Sequence, residues 1–131
     1  MRSLPKFLPE ILVALTLLLT SALPASSAER LLLRVSFAPE EATLSPAART
    51  QLVQFATEFK RSMGRIELQA FAGDAGSVTS TQRRISLKRA LAVRQVLLEQ
   101  GVIAERMDVK ALGGATGNTP LDRVDILQAG L

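Results

Sequence analysis

From Leu31 onward the apolar residues fall into stretches that alternate between a period of two and a period near 3.6. In LLLRVSF, Leu31, Leu33, Val35 and Phe37 fall on one side and Arg34 and Ser36 on the other, which predicts a first strand over 31–37. After Pro39, Glu40 and Glu41, the pair Ser45-Pro46 joins an N-cap hydroxyl to a proline at the first helical position. Leu52, Phe55, Ala56, Phe59 and Met63 then recur at helical steps up to Gly64, a natural stop. Ile66, Leu68 and Ala70 alternate with Glu67 and Gln69 in a second strand ending near Phe71. A helical crossover between these two strands predicts that they are parallel neighbours.

The small polar stretch AGDAGSVTST reads as a loop, and Thr79 with Gln82 three residues on resembles a capping box, with Ser80 and Thr81 as competing cap positions, for a second helix that runs to about Gln100. That helix has a core stripe of Ser86, Ala90, Val93 and Leu97. Leu87, Leu91 and Leu98 make a second apolar sector, able to pack on the first helix or on a partner. A third strand follows over 107–112, then the turn GGATGNTP. A closing strand over 122–127 turns Val124 and Ile126 to the core. The order β-α-β-α-β-β predicts an α/β (α+β) two-layer sandwich, with a four-stranded mixed sheet and two helices on one face.

The first stretch differs in kind. Arg2 and Lys6 precede an uncharged apolar run over 11–23, and the small residues Ser26, Ser27 and Ala28 follow, which predicts a cleaved export signal over 1–28. The run is 13 residues long, short of the about 20 needed to span a bilayer. Cleavage after Ala28 removes 28 of the 131 residues and leaves 103, one domain over 29–131 with no transmembrane segment. With no cysteine, neither a lipidated Cys nor a disulfide is available.

The chemistry is bounded by what is missing. No histidine or cysteine is present, which excludes imidazole relays, thiolate nucleophiles and the usual zinc sites, so neither a metal nor a cofactor is expected. A carboxylate pair is the acid/base chemistry left open. The net charge of +4 is spread along the chain without Trp, Tyr or a basic run interleaved with aromatics, which argues against nucleic acid.

The segment Ile85-Ser86-Leu87-Lys88-Arg89-Ala90-Leu91-Ala92-Val93 resembles the L-S-x-x-R-A-x-x-V signature of OmpA-like peptidoglycan-binding domains, with Ile85 in place of the family's Leu. That family ends its second strand with G-H-T-D, its aspartate fifteen residues before the arginine; here Asp74 stands fifteen before Arg89. The likeness extends over the whole domain, from Phe37 through Gly101-Val102 and Gly113 to Arg123-Val124-Asp125-Ile126, which is similar to the family's N-R-R-V-E-I. Phe71-Ala72-Gly73 replaces Gly-His-Thr, the following glycine comes one residue early at Gly76, and Asp122 replaces the first arginine of the closing strand.

The resemblance implies a non-enzymatic module that holds the diaminopimelate of the peptidoglycan stem peptide in the periplasm, at the outer membrane or cell wall. It assigns the ligand's ammonium to Asp74 and its carboxylate to Arg89, and adds Gln82 and Arg123 to the binding set. Charge-assisted bonds suit such a zwitterion, and a guanidinium fork engages both carboxylate oxygens. Asp74 and Arg89 are expected to converge on a solvent-open notch beside the start of the second helix. Simpler roles stay open: a turn former at Asp74, an intrahelical pair at Arg89, a cap at Gln82, a brace against a carboxylate at Arg123. The alternative function is an OmpA-like domain that binds other envelope proteins, through the sector of Leu87, Leu91 and Leu98.

Overall fold

A computed structural model describes residues 30–75, 79–116 and 120–130. The expected export signal over 1–28 and Gly76 lie outside the described residues. The elements are β1 (Arg30–Ser36), α1 (Pro46–Phe59), β2 (Ile66–Asp74), α2 (Ser80–Glu99), β3 (Met107–Ala115) and β4 (Arg123–Gln128), with one 3-10 turn at Ala104–Arg106 before β3.

The four strands form a single sheet in the order β1-β4-β2-β3. β4 is antiparallel to both β1 and β2, while β2 and β3 are parallel. The expectation that β1 and β2 are neighbours is therefore corrected: they run the same way but β4 lies between them. Every residue from Arg123 to Leu127 is buried. Val124 and Ile126, both 0% exposed, enter the core, while the charges of Arg123 and Asp125 on the other face neutralise each other through an Nε to Oδ2 contact of 3.0 Å. A strand with alternating charges is tolerated at the centre because those charges are paired.

Both helices lie on one face. Ala48, Leu52, Ala56 and Phe59 of α1 and Ala90, Val93, Val96 and Leu97 of α2 share one core with Val35, Ile66, Leu68, Ala70, Val124 and Ile126. The capping signals act as read: Ser45 Oγ accepts from Ala48 N at 3.1 Å, and Thr79 and Gln82 satisfy each other's backbone amides.

Two apolar positions depart from the expected stripes. A bulge between Leu31 and Leu33 turns Leu31 opposite Leu127, and Leu31 is 44% exposed. α1 ends at Phe59, where Ser62 donates its amide and its hydroxyl to the Phe59 carbonyl, and Met63 is 89% exposed. Arg106 covers Phe59 instead, with its guanidinium carbon 3.8 Å from the ring centre and bonds to the carbonyls of Ser62 and Gly64.

The opposite face of the sheet is crossed by a ladder of charges. Arg34 grips Asp125 with two bonds, of 2.7 and 3.3 Å, Arg123 joins the same carboxylate, and Glu67 accepts from Gln69 and pairs with Lys110 at 3.1 Å. The hydrogen bond to Asp125, working against partial burial, raises the pKa of the Arg34 guanidinium above its ordinary value.

Candidate functional site

The carboxyl end of β2, the loop after β1, the first turns of α2 and the residue before β4 meet around a surface notch of about 380 Å³. Its walls are Pro39 and Glu40 from the loop, Ala72 and Gly73 from β2, Thr79, Thr81, Gln82 and Ile85 from α2, and Asp122. Asp122 is the carboxylate most tightly fixed there. Its Oδ1 accepts from Gly73 N at 3.1 Å and from Arg89 Nη1 at 2.8 Å, and Oδ2 accepts nothing from the described residues.

Arg89 lies directly behind this wall. It is 0% exposed and makes no part of the notch surface. Nε donates to Glu41 O at 2.6 Å, Nη1 to Phe71 O at 2.8 Å as well as to Asp122, and Nη2 to Ala38 O at 3.0 Å, with the guanidinium carbon 5.2 Å from the centre of the Phe37 ring. A planar fork with five N–H groups suits several fixed acceptors at once, which a lysine could not satisfy. The guanidinium thus ties together the loop after β1, the end of β2 and the start of β4. By holding Ala38 and Glu41 it brackets Glu40, whose φ of 63° lies in the left-handed region that non-glycine residues seldom occupy.

The other candidates are placed as follows. Asp74 is exposed at the last position of β2, next to the notch residue Gly73, and is not itself a wall residue. The structure therefore brings neither Asp74 nor Arg89 onto the notch surface. Gln82 is a wall residue: its Oε1 accepts from Thr79 N at 2.8 Å and its Nε2 donates to Asp74 O at 3.0 Å, so it both caps α2 and fastens the end of β2. Gly73, with φ of 71°, leaves room for that amide, since a Cβ there would stand 3.1 Å from Gln82 Nε2. Arg123 lies on the open face of the sheet, over the Phe71 ring at 4.1 Å and bonded to Asp125 and Pro120 O. Ser86 is fully buried; its hydroxyl donates to Arg83 O and accepts from Gly113 N at 3.2 Å, joining α2 to β3.

Asp122 and Glu40 were not among the candidates. Asp122 was visible only as an acidic replacement at a position where the family carries arginine, and its value depends on Arg89, 33 residues away in sequence. Among the described residues no group of three acidic, His or Cys side chains is placed to hold a metal ion, and no helix is long and apolar enough to cross a membrane.

The description of the OmpA family matches residues 36–123, more than half of the chain. The chain belongs to the OmpA family. No curated protein sequence matches it significantly. Among solved structures, this OmpA family member is similar to the OmpA-like domain of FopA1 from Francisella tularensis subsp. tularensis SCHU S4, at 24% identity over 75% of this chain and 71% of that one, with a TM-score of 0.59. The peptidoglycan-associated lipoprotein from Burkholderia pseudomallei matches at 24% identity over 72% and 88% of the two chains, with a TM-score of 0.63. The periplasmic domain of Helicobacter pylori MotB matches at 15% identity over 75% and 78%, also at 0.63. At these identities the structural likeness establishes the fold alone.

Proposed function

We propose that this OmpA family chain is a non-enzymatic peptidoglycan-binding module of the periplasm. Its domain spans 29–131 and is delivered by the export signal over 1–28, and its notch beside the start of α2 takes the zwitterionic end of stem-peptide diaminopimelate. The observation that carries the reading is Asp122, fixed on its Oδ1 by Arg89 and Gly73 and open on its Oδ2, in a notch of about 380 Å³. The ligand's ammonium meets Asp122 and Glu40, with Asp74 as a further carboxylate at the rim. Its carboxylate meets the first amides of α2, which have no carbonyl partner within the helix and lie at the positive end of its dipole. Arg89 acts from behind, holding the Asp122 carboxylate in place. Gln82 sets the width of the notch through Asp74 O, and Arg123 braces the floor under Phe71.

The reading draws on one structural relative named for peptidoglycan association and another named as a periplasmic domain. A clamp of this kind binds weakly per site, in the range of about micromolar to millimolar, because exposed ion pairs add little and ordering costs offset much of the gain. Retention on the wall then comes from many sites.

The test is co-sedimentation with purified peptidoglycan sacculi. Asp122→Asn is expected to lower bound protein about tenfold or more, since it removes a charge-assisted bond while keeping the shape, and Glu40→Gln and Asp74→Ala by less. N-acetylation of the free diaminopimelate amines should abolish pelleting of the wild type. Equal pelleting of the wild type and all three variants defeats the reading.

A further inference from the structure

The outer face of α2 carries charge that the rest of the domain leaves uncompensated. Arg83, Arg84, Lys88 and Arg94 all stand on this helix, whose one carboxylate, Glu99, lies at the far end and is engaged by Arg49 and Gln95. The side chains of the four cations make no ion pair or hydrogen bond with the described residues. Arg83 and Arg84 stand at the amino end, where the helix dipole disfavours cations and where no acid is present. Local helix stability therefore does not explain them.

Their arrangement is specific. At 100° per residue, Leu87, Leu98 and Leu91 form a stripe about 40° wide, with Arg83 and Arg94 along one border and Arg84 and Lys88 along the other. Leu87 is 43% and Leu91 46% exposed, and Leu98 is partly buried against the core. The centre of the stripe lies about 110° around the helix from that of Ser86, Ala90, Val93 and Leu97, which face the sheet, and about 140–160° from the notch residues Gln82 and Ile85. From Arg83 to Leu98 it runs about 22 Å along the surface.

We propose that this face of α2 docks the domain on a lipid surface bearing anionic phosphate headgroups. An apolar stripe bordered on both sides by long cationic side chains is how a helix lies in a membrane interface: the leucines enter the acyl boundary, while the arginine and lysine stems extend outward to the phosphates. A soluble polyanion would draw on the cations alone and leave the leucines without purpose, and bases would find no aromatic residue on this face to stack on. The inference is independent of the notch, so a domain held by the wall at one end of α2 can meet a membrane with the helix's outer side.

The test is flotation of the full chain with vesicles of phosphatidylglycerol and phosphatidylethanolamine in equal parts, against vesicles of phosphatidylcholine. Residues 11–23, where present, contribute equally to every variant, so the readout is the difference between the two vesicle types. The wild type is expected to prefer the anionic vesicles, and the preference should weaken with added salt. R84Q/K88Q should lower the preference about twenty-fivefold, since each cation near an anionic surface is worth about fivefold. L87Q/L91Q should lower binding to the anionic vesicles about fivefold or more through loss of the inserted side chains. All four positions are exposed or border solvent, and circular dichroism checks that the fold is kept. No preference for anionic vesicles, or a preference that survives R84Q/K88Q, overturns the proposal. Loss with R84Q/K88Q but none with L87Q/L91Q also overturns it, by showing simple adhesion to a polyanion. Sacculus pelleting should be unchanged in both double variants, which separates this outcome from that of the notch.

Discussion

On the helix-covered side of the sheet, Arg89 donates to three carbonyl oxygens and one carboxylate drawn from three separate segments; on the open side, Arg34 and Arg123 share the single carboxylate of Asp125. Both regions bury an arginine beside an aspartate, but they do different work. Around Arg89 the acceptors are mostly backbone, so the guanidinium fixes where loops lie, and the one side chain it holds, Asp122, borders the notch. Around Asp125 the partners are side chains, Arg34 on the neighbouring β1 and Arg123 on β4 itself, so the Arg34 pair registers β1 against β4 and the Asp125 carboxylate is taken up on that face. The contrast teaches that a buried ion pair becomes a candidate site when its fixed partner also reaches a concave surface.

The sharpest way to break this comparison is Arg89→Met, which takes the buried guanidinium from three carbonyls and from the half-buried Asp122. It is expected to lower the free energy of unfolding by about 3–5 kcal/mol, measured by urea denaturation; a loss under about 1 kcal/mol would mean that the segments hold themselves. Asp125→Asn is next, leaving Arg34 and Arg123 side by side without their anion, at a cost of about 1–3 kcal/mol. Arg34→Met, at a partly exposed position, should cost about 1 kcal/mol or less.

The Arg34 contribution also has a sign in pH. Because Asp125 raises its pKa in the folded state, the stabilisation is complete below the unfolded value and lost only as pH rises through the higher folded one. The cost of Arg34→Met should therefore be constant between about pH 6 and 10. The smallest effect belongs to Arg49→Ala, which removes the exposed 3.4 Å pair with Glu99 between the helices and should change stability by no more than about 0.5 kcal/mol.

Much of the architecture was legible because it is written in short-range pattern. The caps at Ser45 and Thr79, the stripe of Ser86, Ala90, Val93 and Leu97, and the alternation of Ile66, Leu68 and Ala70 each depend on residues a few positions apart. The place of β4 between β1 and β2 was not legible, since alternation in Arg123 to Leu127 says which residues share a face but not which strand lies alongside. The notch was expected beside the start of α2 and Gln82 lines it as expected, but Asp74 and Arg89, expected to converge there, are not wall residues, and Asp122 and Glu40 are. Spacing along α2 puts Arg89 near the core edge, yet whether its fork turns to solvent or inward depends on carbonyls at Ala38, Glu41 and Phe71 that only the folded chain assembles.

By itself the sequence determined the elements, their faces, the membership of the OmpA family and the absence of His and Cys chemistry, because periodicity, capping and composition act locally or on the whole chain at once. The tertiary structure decided the strand order, the burial of Arg89 and the placing of Asp122 and Glu40 on the notch wall. These depend on groups far apart in sequence whose desolvation is offset only when all the partners arrive together, and no local pattern encodes that coincidence.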